Sequence, residues 1–403
     1  MNPHTFVLPP WRRVASALTA LAASLALLHG CGGGVEGQGT GSVSYSDGPI
    51  SGFGSIIVNG VHFDETKASI TDDDGHSLSS ADLKLGMTVR VDAGAIDQAT
   101  NTALATAVQV GSDLVGPVSA NDLAATTITV LGQTVRITAS TVFDDSLPGG
   151  QAAITVGAQV QVFSILDPVS GVYAARRVEL AGAPTAYKLR GVVANLDKTA
   201  HTLQIGAATL AYSADTAPAD LANGQIVRVK LQTAPDGNGR WVVTSFANGA
   251  SRPPEGGETE IESVIASYTS NADFTLSGVR VNASGATIEP AGSTLAAGVR
   301  VEVEGTYSGG VLMAKKVEVK GSGDDGGDDS GGGQTIELEG RISALDTEAN
   351  TFVLRGETVD YATATFKSGA TEDKLVALPK VHIKGHLGDD GTTVIAEELE
   401  IDD

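Results

Sequence analysis

The sequence predicts an all-β protein built from five tandem small antiparallel β-barrels, and three observations lead to this fold class. Glycine accounts for 50 of the 403 residues while aromatic residues make up only 4%, a composition that favours short strands and tight turns over helices. A hairpin pattern centred on a glycine occurs five times, at intervals of 72 to 78 residues. Each hairpin is followed by Gly-x-x-Val-x-Val or a variant of it, an alternation that is typical of strands with one buried face.

The hairpins each contain a short β-run, a turn glycine and a second β-run. Asn59-Gly60 is the clearest turn, because glycine readily takes the positive φ that a tight hairpin turn requires. The equivalent turn glycines in the later copies are Gly132, Gly206, Gly278 and Gly356. This regular recurrence predicts that every copy contains the same strand pair.

Two further patterns follow each hairpin in the same order. Gly-x-x-Val-x-Val starts at Gly86, Gly157, Gly224 and Gly298, and the fifth copy has Leu378 in the glycine position. A closing Ala-x-x-Val or Ala-x-x-Leu pattern starts at Ala107, Ala175, Ala314 and Ala396, and residues 244–246 replace it in the third copy. Three patterns repeated in one order indicate tandem duplication.

We place the five barrels at residues 48–112, 113–182, 186–250, 258–321 and 335–403. Antiparallel units of this size can hide their strand edges by closing into a barrel, and an open meander or a continuous solenoid is the alternative. Residues 252–257 form a spacer between the third and fourth copies. The acidic, glycine-rich residues 322–334 have almost nothing to bury, so we expect a disordered linker there.

The N-terminus predicts export. Arg12 and Arg13 precede an uncharged, mostly apolar run over residues 14–28, which suits a signal peptide and is short for a membrane-spanning helix. The residues Leu28-His29-Gly30-Cys31 resemble the lipobox of bacterial lipoproteins. That resemblance implies signal cleavage between Gly30 and Cys31 and attachment of lipid to the Cys31 sulfur, which would anchor the protein to a membrane. An ordinary signal peptide followed by a chance cysteine is the alternative.

Residues 1–30 are therefore predicted to be a lipoprotein signal peptide, and residues 31–47 a lipidated, glycine-rich and flexible tether. Gly32, rather than an aspartate, follows the cysteine. By analogy with bacterial lipoproteins, this favours an outer-membrane location over an inner-membrane one. The sequence leaves open whether the barrels face the periplasm or the cell exterior.

Composition and motifs argue against several functional classes. The formal net charge of −22 repels phosphate backbones, so we expect no nucleic-acid binding. Cys31 is the single cysteine, which excludes an intramolecular disulfide and a thiolate metal cluster. The sequence has no nucleophile-elbow or zinc-helix motif, and its histidines recur at no equivalent position after residue 30. We therefore predict no catalytic residue, no cofactor and no enzyme activity.

Acidic residues suggest a cation site, and aromatic residues a carbohydrate site, as two alternatives to a protein without a ligand. Aspartates cluster at residues 72–74, 324–325, 328–329 and 389–390. We expect these to be solvated turn and linker carboxylates, with weak divalent cation binding as the alternative. Tyr212 and Trp241 are candidates for a carbohydrate contact in the third copy, although isolated aromatic residues more often belong to a core.

A family resemblance covers most of the chain. Residues 49–63 (PISGFGSIIVNGVHF), the later Gly-x-x-Val-x-Val and the lipobox resemble exported bacterial proteins that carry domain of unknown function 5666. The resemblance implies repeated barrels like the oligonucleotide/oligosaccharide-binding (OB) fold in secreted or lipid-anchored proteins, and it implies no activity and no site residues.

We therefore expect a non-catalytic, lipid-anchored cell-envelope protein. It would serve as a multi-barrel spacer or a protein-interaction surface for an unidentified envelope partner. The alternative is an envelope protein that binds a small ligand, a glycan or a divalent cation.

Overall fold

The computed structural model describes Met1, residues 43–320 and residues 335–402. The predicted signal peptide beyond Met1, the cleavage and lipid-attachment residues Gly30 and Cys31, most of the tether and the linker at residues 322–334 lie outside this part of the chain. The described residues form thirty β-strands, one short α-helix and two 3-10 turns, which confirms the all-β fold class. Among these residues, no helix is both long enough and apolar enough to cross a bilayer.

The first barrel shows the topology that the copies share. Its strands are β1 (Ser44–Phe53), β2 (Ile56–Val58), β3 (Val61–Asp64), β4 (Ser69–Asp72), β5 (Thr88–Ala93) and β6 (Thr102–Val110). β1 pairs with β2, β2 with β3, β6 with β5 and β5 with β1, all antiparallel, whereas β3 and β6 pair in parallel. Five strands therefore close into an OB-like ring instead of an open meander. The short β4 pairs in parallel with the second half of β6.

The other four barrels repeat the closed ring of strands, and all of them except the third also have a counterpart of β4. The second contains β7 (Leu114–Asp122), β8 (Thr127–Val130), β9 (Gln133–Arg136), β10 (Val142–Phe143), β11 (Gln159–Leu166) and β12 (Tyr173–Leu180). The third contains β13 (Tyr187–Asp197), β14 (Thr202–Ile205), β15 (Ala208–Ala211), β16 (Ile226–Leu231) and β17 (Trp241–Asn248). The fourth contains β18 (Glu258–Ser270), β19 (Asp273–Leu276), β20 (Val279–Asn282), β21 (Thr287–Glu289), β22 (Arg300–Ser308) and β23 (Val311–Val319).

The fifth barrel differs slightly, because its first strand is divided in two. It contains β24 (Ile336–Arg341), β25 (Ser343–Asp346), β26 (Thr351–Leu354), β27 (Glu357–Asp360), β28 (Thr365–Phe366), α1 (Glu372–Leu375), β29 (Lys380–Leu387) and β30 (Thr393–Asp402). The parallel pairs β9–β12, β15–β17, β20–β23 and β27–β30 close the later barrels as β3–β6 closes the first.

Left-handed backbone conformations confirm the predicted hairpin turns. All five turn glycines have positive φ, from +52° at Gly206 to +90° at Gly356. In four copies the preceding residue also has positive φ, as at Asn59 (+51°), which is the geometry of a two-residue type I′ turn. Leu378, which replaces glycine in the fifth copy, adopts a φ of +51°. The backbone geometry is therefore kept where the glycine is lost.

Shared strand ladders join the barrels. Residues 44–47 of β1 pair in parallel with residues 258–261 of β18, and Gly52 and Phe53 pair with residues 337–338 of β24. β7 and β13 pair antiparallel where the second and third barrels meet. The segment expected to be tether thus ends earlier than predicted, because Tyr45 is buried in the core of the fourth barrel and residues 44–47 form a strand.

Apolar side chains gather in three cores that also cross barrel boundaries. One core joins the first and fifth barrels and includes Phe53 and Leu338. A second core joins the second and third barrels and includes Leu114 and Leu189. The third core belongs to the fourth barrel and takes in Tyr45 of the first. Separating these barrels would expose apolar surface to water, and the described barrels belong to one compact unit.

Candidate functional site

A group of charged side chains and one serine lies where the first four barrels meet. Asp47 and Arg90 come from the first barrel, Asp113 precedes β7 of the second, Arg190 lies on β13 of the third, and Ser277 belongs to the fourth. They line a cavity of about 50 Å³, which has room for a few water molecules. We call this group the central junction.

Arg190 connects three of these barrels. Its Nη1 lies 3.3 Å from Asp113 Oδ1, its Nη2 donates to Ser277 Oγ at 3.2 Å, and its Nε donates to the carbonyl oxygen of Gly249 at 2.7 Å. The Arg190 side chain is 11% exposed and the Asp113 side chain 4% exposed. A guanidinium with its donors spread over three chain segments fixes their relative positions, because each bond has a defined direction.

The segment between β17 and β18 closes the central junction. The Ser251 hydroxyl donates to the Asp47 carboxylate, and Arg90 Nε lies 3.4 Å from the same carboxylate. The backbone N–H of Ser251 donates to the carbonyl oxygen of Ser277 at 3.0 Å. Pro253 is buried within the predicted spacer. This spacer is therefore packed against the barrels that it connects.

The acidic loop at residues 72–74 is also part of a barrel contact. Asp73 Oδ1 lies 2.5 Å from Lys188 Nζ, and its other oxygen binds Arg228. Asp74 lies 2.9 Å from Lys188 Nζ and 2.8 Å from Lys230 Nζ. Burial opposes ionisation, but hydrogen bonds from the two lysines lower the pKa of Asp74 overall. The expectation of solvated carboxylates is wrong for this loop, because the third barrel supplies basic partners.

The same loop places possible metal ligands together. Oxygens of Asp72 and Asp74 and a nitrogen of His76 lie within 4.8 Å of one another. However, Asp72 Oδ2 already lies 2.8 Å from His76 Nδ1, and both oxygens of Asp74 bind lysines. A cation would have to displace these ammonium groups, so the arrangement suits an ion-pair contact better than a metal centre.

Two buried arginines of β12 extend the contacts of the second barrel. Arg176 Nη2 lies 3.8 Å from Glu262 of the fourth barrel, whose carboxylate also binds Arg300. Burial, and then the charge of Arg300, lowers the pKa of Arg176 to about 10. Arg177 pairs with Asp144 at 3.1 Å and donates to the carbonyl oxygen of Leu85 in the first barrel at 3.3 Å. These pairs neutralise charges that barrel packing removes from water.

A larger cleft, of about 620 Å³, lies between the second barrel and the β29–β30 loop of the fifth. Thr138, Gln151 and Asp389 are among its polar lining residues. The loop is held by a hydrogen bond from the Phe143 N–H to the carbonyl oxygen of Gly391, 2.7 Å long. Asp390 accepts hydrogen bonds from the backbone of residues 392 and 393, so it shapes this loop instead of being a free turn carboxylate.

The aromatic candidates for a carbohydrate contact belong to the core of the third barrel. Trp241 packs edge-on against Tyr187 with ring centres 5.6 Å apart, and Tyr212 packs against Phe246 at 5.9 Å. Tyr212 is 8% exposed. Neither pair forms an exposed stacking platform.

Sequence motifs did not reveal the residues of the central junction. Asp113 and Arg190 belong to none of the repeated patterns that identified the copies, and Arg90 stands at a variable position of Gly-x-x-Val-x-Val. The charge of the third copy was one indication of these contacts. Residues 186–250 contain six Lys and Arg residues and four Asp and Glu residues, whereas the whole chain contains 26 and 48. A basic copy in an acidic chain favours contact with its acidic neighbours.

Several solved structures resemble this chain at a distance, including the following two. A multidomain protein with nucleic acid binding domains from Streptococcus pneumoniae is 15% identical, with a TM-score of 0.15, over 51% of this chain and 72% of the other. Drosophila Unr CSD456 is 13% identical, with a TM-score of 0.14, over 55% of this chain and 98% of the other. Likeness at this level carries no argument about function. No curated protein matches the chain.

Comparison with protein families gives a direct match. The model of a domain of unknown function, DUF5666, matches residues 43–109, 115–179, 261–318 and 339–400. These segments correspond to the first, second, fourth and fifth barrels, and the third barrel shares their closed ring of strands without being matched. The matches cover more than half of the sequence and agree with the repeats found in it. The chain therefore belongs to the DUF5666 family.

Proposed function

We propose that this protein is a lipid-anchored component of the bacterial cell envelope whose five barrels act together as a non-catalytic scaffold for protein interaction. The observation that carries the proposal is the packing of the barrels through shared ladders, shared cores and buried ion pairs. Such packing holds the outer faces of different barrels in fixed relation, which a partner can recognise as one surface.

The anchoring part of the proposal rests on the sequence. The lipobox-like residues 28–31 supply the acceptor cysteine, and a glycine-rich segment of the sequence joins it to the first barrel. Outer-membrane location is the preferred assignment, because no aspartate follows Cys31. The partner would be another envelope protein.

Metabolic labelling with palmitate tests the anchor. The native protein should incorporate label and sediment with membranes, whereas Cys31→Ser should remain unlabelled and lose membrane association. Thr40→Ala, in the same predicted tether, is the matched control and should behave as the native protein does. An unlabelled native protein would contradict lipid anchoring without affecting the interaction role of the barrels.

A second candidate function is recognition of a polar small ligand or glycan. The cleft between the second and fifth barrels favours it, since its volume of about 620 Å³ lies in the range of small-molecule sites. Hydroxyl, amide and carboxylate groups of Thr138, Gln151 and Asp389 could bind sugar hydroxyls. A saturable rise in melting temperature with soluble glycan fragments, abolished by Asp389→Ala and kept by Asp220→Ala, would support this candidate.

A further inference from the structure

The third barrel leaves part of its last strand without a partner that the other barrels provide. In those four, a short strand pairs in parallel with the second half of the last strand: β4 with β6, β10 with β12, β21 with β23 and β28 with β30. In the third barrel, residues 244–248 of β17 pair only with β16 among the described residues. One edge of β17 is therefore open.

The register of the other barrels shows what belongs at this edge. Each short strand places one apolar residue beside a fully buried residue of the last strand: Ile70 beside Val108, Phe143 beside Val178, Ile288 beside Val317 and Phe366 beside Leu399. Pairing with Val229 of β16 puts Phe246 in the equivalent position of the third barrel. Phe246 is only partly buried, whereas its four counterparts are fully buried.

The sequence explains why the third barrel lacks the short strand. Ile70 stands seven residues after Phe63, and Ile288 seven after Val281; the residue seven after Leu210 is Ala217. Alanine has too small a side chain to cover Phe246. Pro218 follows it and has no N–H to donate to a ladder. The segment turns instead, with the Leu221 N–H bound to the carbonyl oxygen of Pro218 at 3.1 Å.

The open edge also lacks the charged residues and prolines that usually block strand addition. Thr244, Ser245, Ala247 and Asn248 are exposed, and residues 244–248 include no proline and no charged residue. Exposed edges of natural sheets are usually protected by lysine, proline or a bulge. β17 has a bulge at Thr244, but the last strands of the other barrels have the same bulge and still pair with their short strand beyond it. An uncharged edge with an apolar side chain at its centre is suited to bind an extended segment through main-chain hydrogen bonds and one side-chain pocket.

We propose that the open edge of β17 binds an extended segment of a partner polypeptide as an added parallel strand. The chain's own short strands define the preferred sequence: Ser69-Ile70-Thr71, Thr287-Ile288-Glu289 and Thr365-Phe366 have a hydroxyl residue followed by Ile or Phe. The Ile or Phe of the partner would cover Phe246, whose ring packs at 5.9 Å against the buried ring of Tyr212. This deepens the proposed interaction role by naming the partner's chemistry, and it does not depend on the lipid anchor.

Fluorescence anisotropy with the full chain tests the proposal. The probe is a labelled peptide with the sequence of residues 66–73, TKASITDD. It should bind saturably, and the same peptide carrying Ile70→Asp should bind about tenfold more weakly. A photoreactive residue at the isoleucine position should cross-link to residues 241–248. Absence of saturable binding up to about millimolar peptide, or cross-linking to another segment, would overturn the proposal.

A variant that fills the edge provides the matched test on the protein side. Ala217→Ile with Pro218→Thr restores an apolar residue and a backbone donor, so the barrel can form its own short strand. Peptide affinity should then fall about tenfold, while Ala214→Ile with Ala219→Thr, in the same loop, should leave it unchanged. Equal affinity in the filled variant would count against the site. Self-association of the native chain that the filled variant abolishes would identify a second copy as the occupant and would also overturn the proposal.

Discussion

Single residues hold the barrels together mainly through charges that are buried in pairs. Asp73 is 8% exposed and binds Lys188 and Arg228, so three side chains from two barrels satisfy one another. Asp273 and Arg280 form a pair of the same chemical type within the fourth barrel, with side chains 43% and 61% exposed. The energetic importance of a pair follows its burial, because water screens exposed charges.

Removal of the Asp73 carboxylate should therefore be costly. Asp73→Ala leaves Arg228 without its carboxylate partner in a partly buried contact and leaves Lys188 with Asp74 alone, and it should lower the free energy of unfolding by about 3 kcal/mol. Asp273→Ala should change it by less than about 1 kcal/mol. Urea unfolding of both variants measures the difference. Equal losses would mean that the contact between the first and third barrels is not maintained in solution.

Glu260 should make stability depend on pH. Burial, and then the carboxylates of Glu302, Glu304 and Glu258, raises the pKa of Glu260 to about 8 from its ordinary 4.5. The folded state then binds this proton more tightly than the unfolded state does. The stabilisation that this proton gives is fully present below about pH 4.5, the pKa of Glu260 in the unfolded chain. It is lost as the pH rises through about 8, the pKa of Glu260 in the folded protein.

Glu260→Gln should remove this dependence. The variant should match the native protein near about pH 4 and exceed its stability at about pH 9 by on the order of a few kcal/mol. Urea unfolding across this pH range measures the effect. Glu348→Gln, at an exposed position of the fifth barrel, is the control. A constant difference at all pH values would show that Glu260 titrates normally.

At the scale of single elements, the hairpins depend on two-residue turns. Gly60 has a φ of +77°, and a Cβ there would meet nothing closer than 4.0 Å. Glycine is therefore required at position 60 because of the backbone conformation there, and not because a side chain would lack space. The same conformation recurs at the other four turn glycines, which is why this position is the most regular feature of the repeats.

Gly60→Val should consequently destabilise the first barrel through backbone strain. A β-branched residue resists positive φ, and we expect a loss of about 1–3 kcal/mol in the free energy of unfolding. Gly285→Val, at a position with open space and no positive φ, should cause a much smaller change. Thermal or urea unfolding compares the two. Similar losses would remove the support for the left-handed turn at Gly60.

At the scale of the whole molecule, the first barrel connects distant parts of the sequence. Its β1 pairs with strands of both the fourth and fifth barrels, and its core is continuous with that of the fifth. Gly52 lies at this contact, and a Cβ there would stand 2.3 Å from the carbonyl oxygen of Glu337. A larger residue at position 52 therefore cannot be accommodated while the two strands remain paired.

Gly52→Val should weaken the union of the first and fifth barrels. Scanning calorimetry should show one transition for these barrels in the native chain and separate transitions in the variant, because the shared core no longer couples them. Gly237→Val, at a position with open space around it, should leave the profile unchanged. Separate transitions already present in the native chain would contradict the shared core.

The sequence by itself determined the repeating local structure. Turn glycines, alternating valines and closing patterns depend only on residues that are close along the chain, so they predicted the all-β fold and its repeated barrels. The absence of the short strand from the third barrel also follows from neighbouring residues in the sequence, namely Ala217 and Pro218.

The tertiary structure alone decided how the barrels meet. The pairs between Asp73 and Arg228 and between Asp113 and Arg190 join residues far apart in sequence, and no periodic pattern marks them. The sequence predicted solvated carboxylates at residues 72–74 because nothing local distinguishes a paired aspartate from a hydrated one. The difference arises only when packing removes water and brings a distant cation within reach, since the strength of a charge interaction depends on distance and burial.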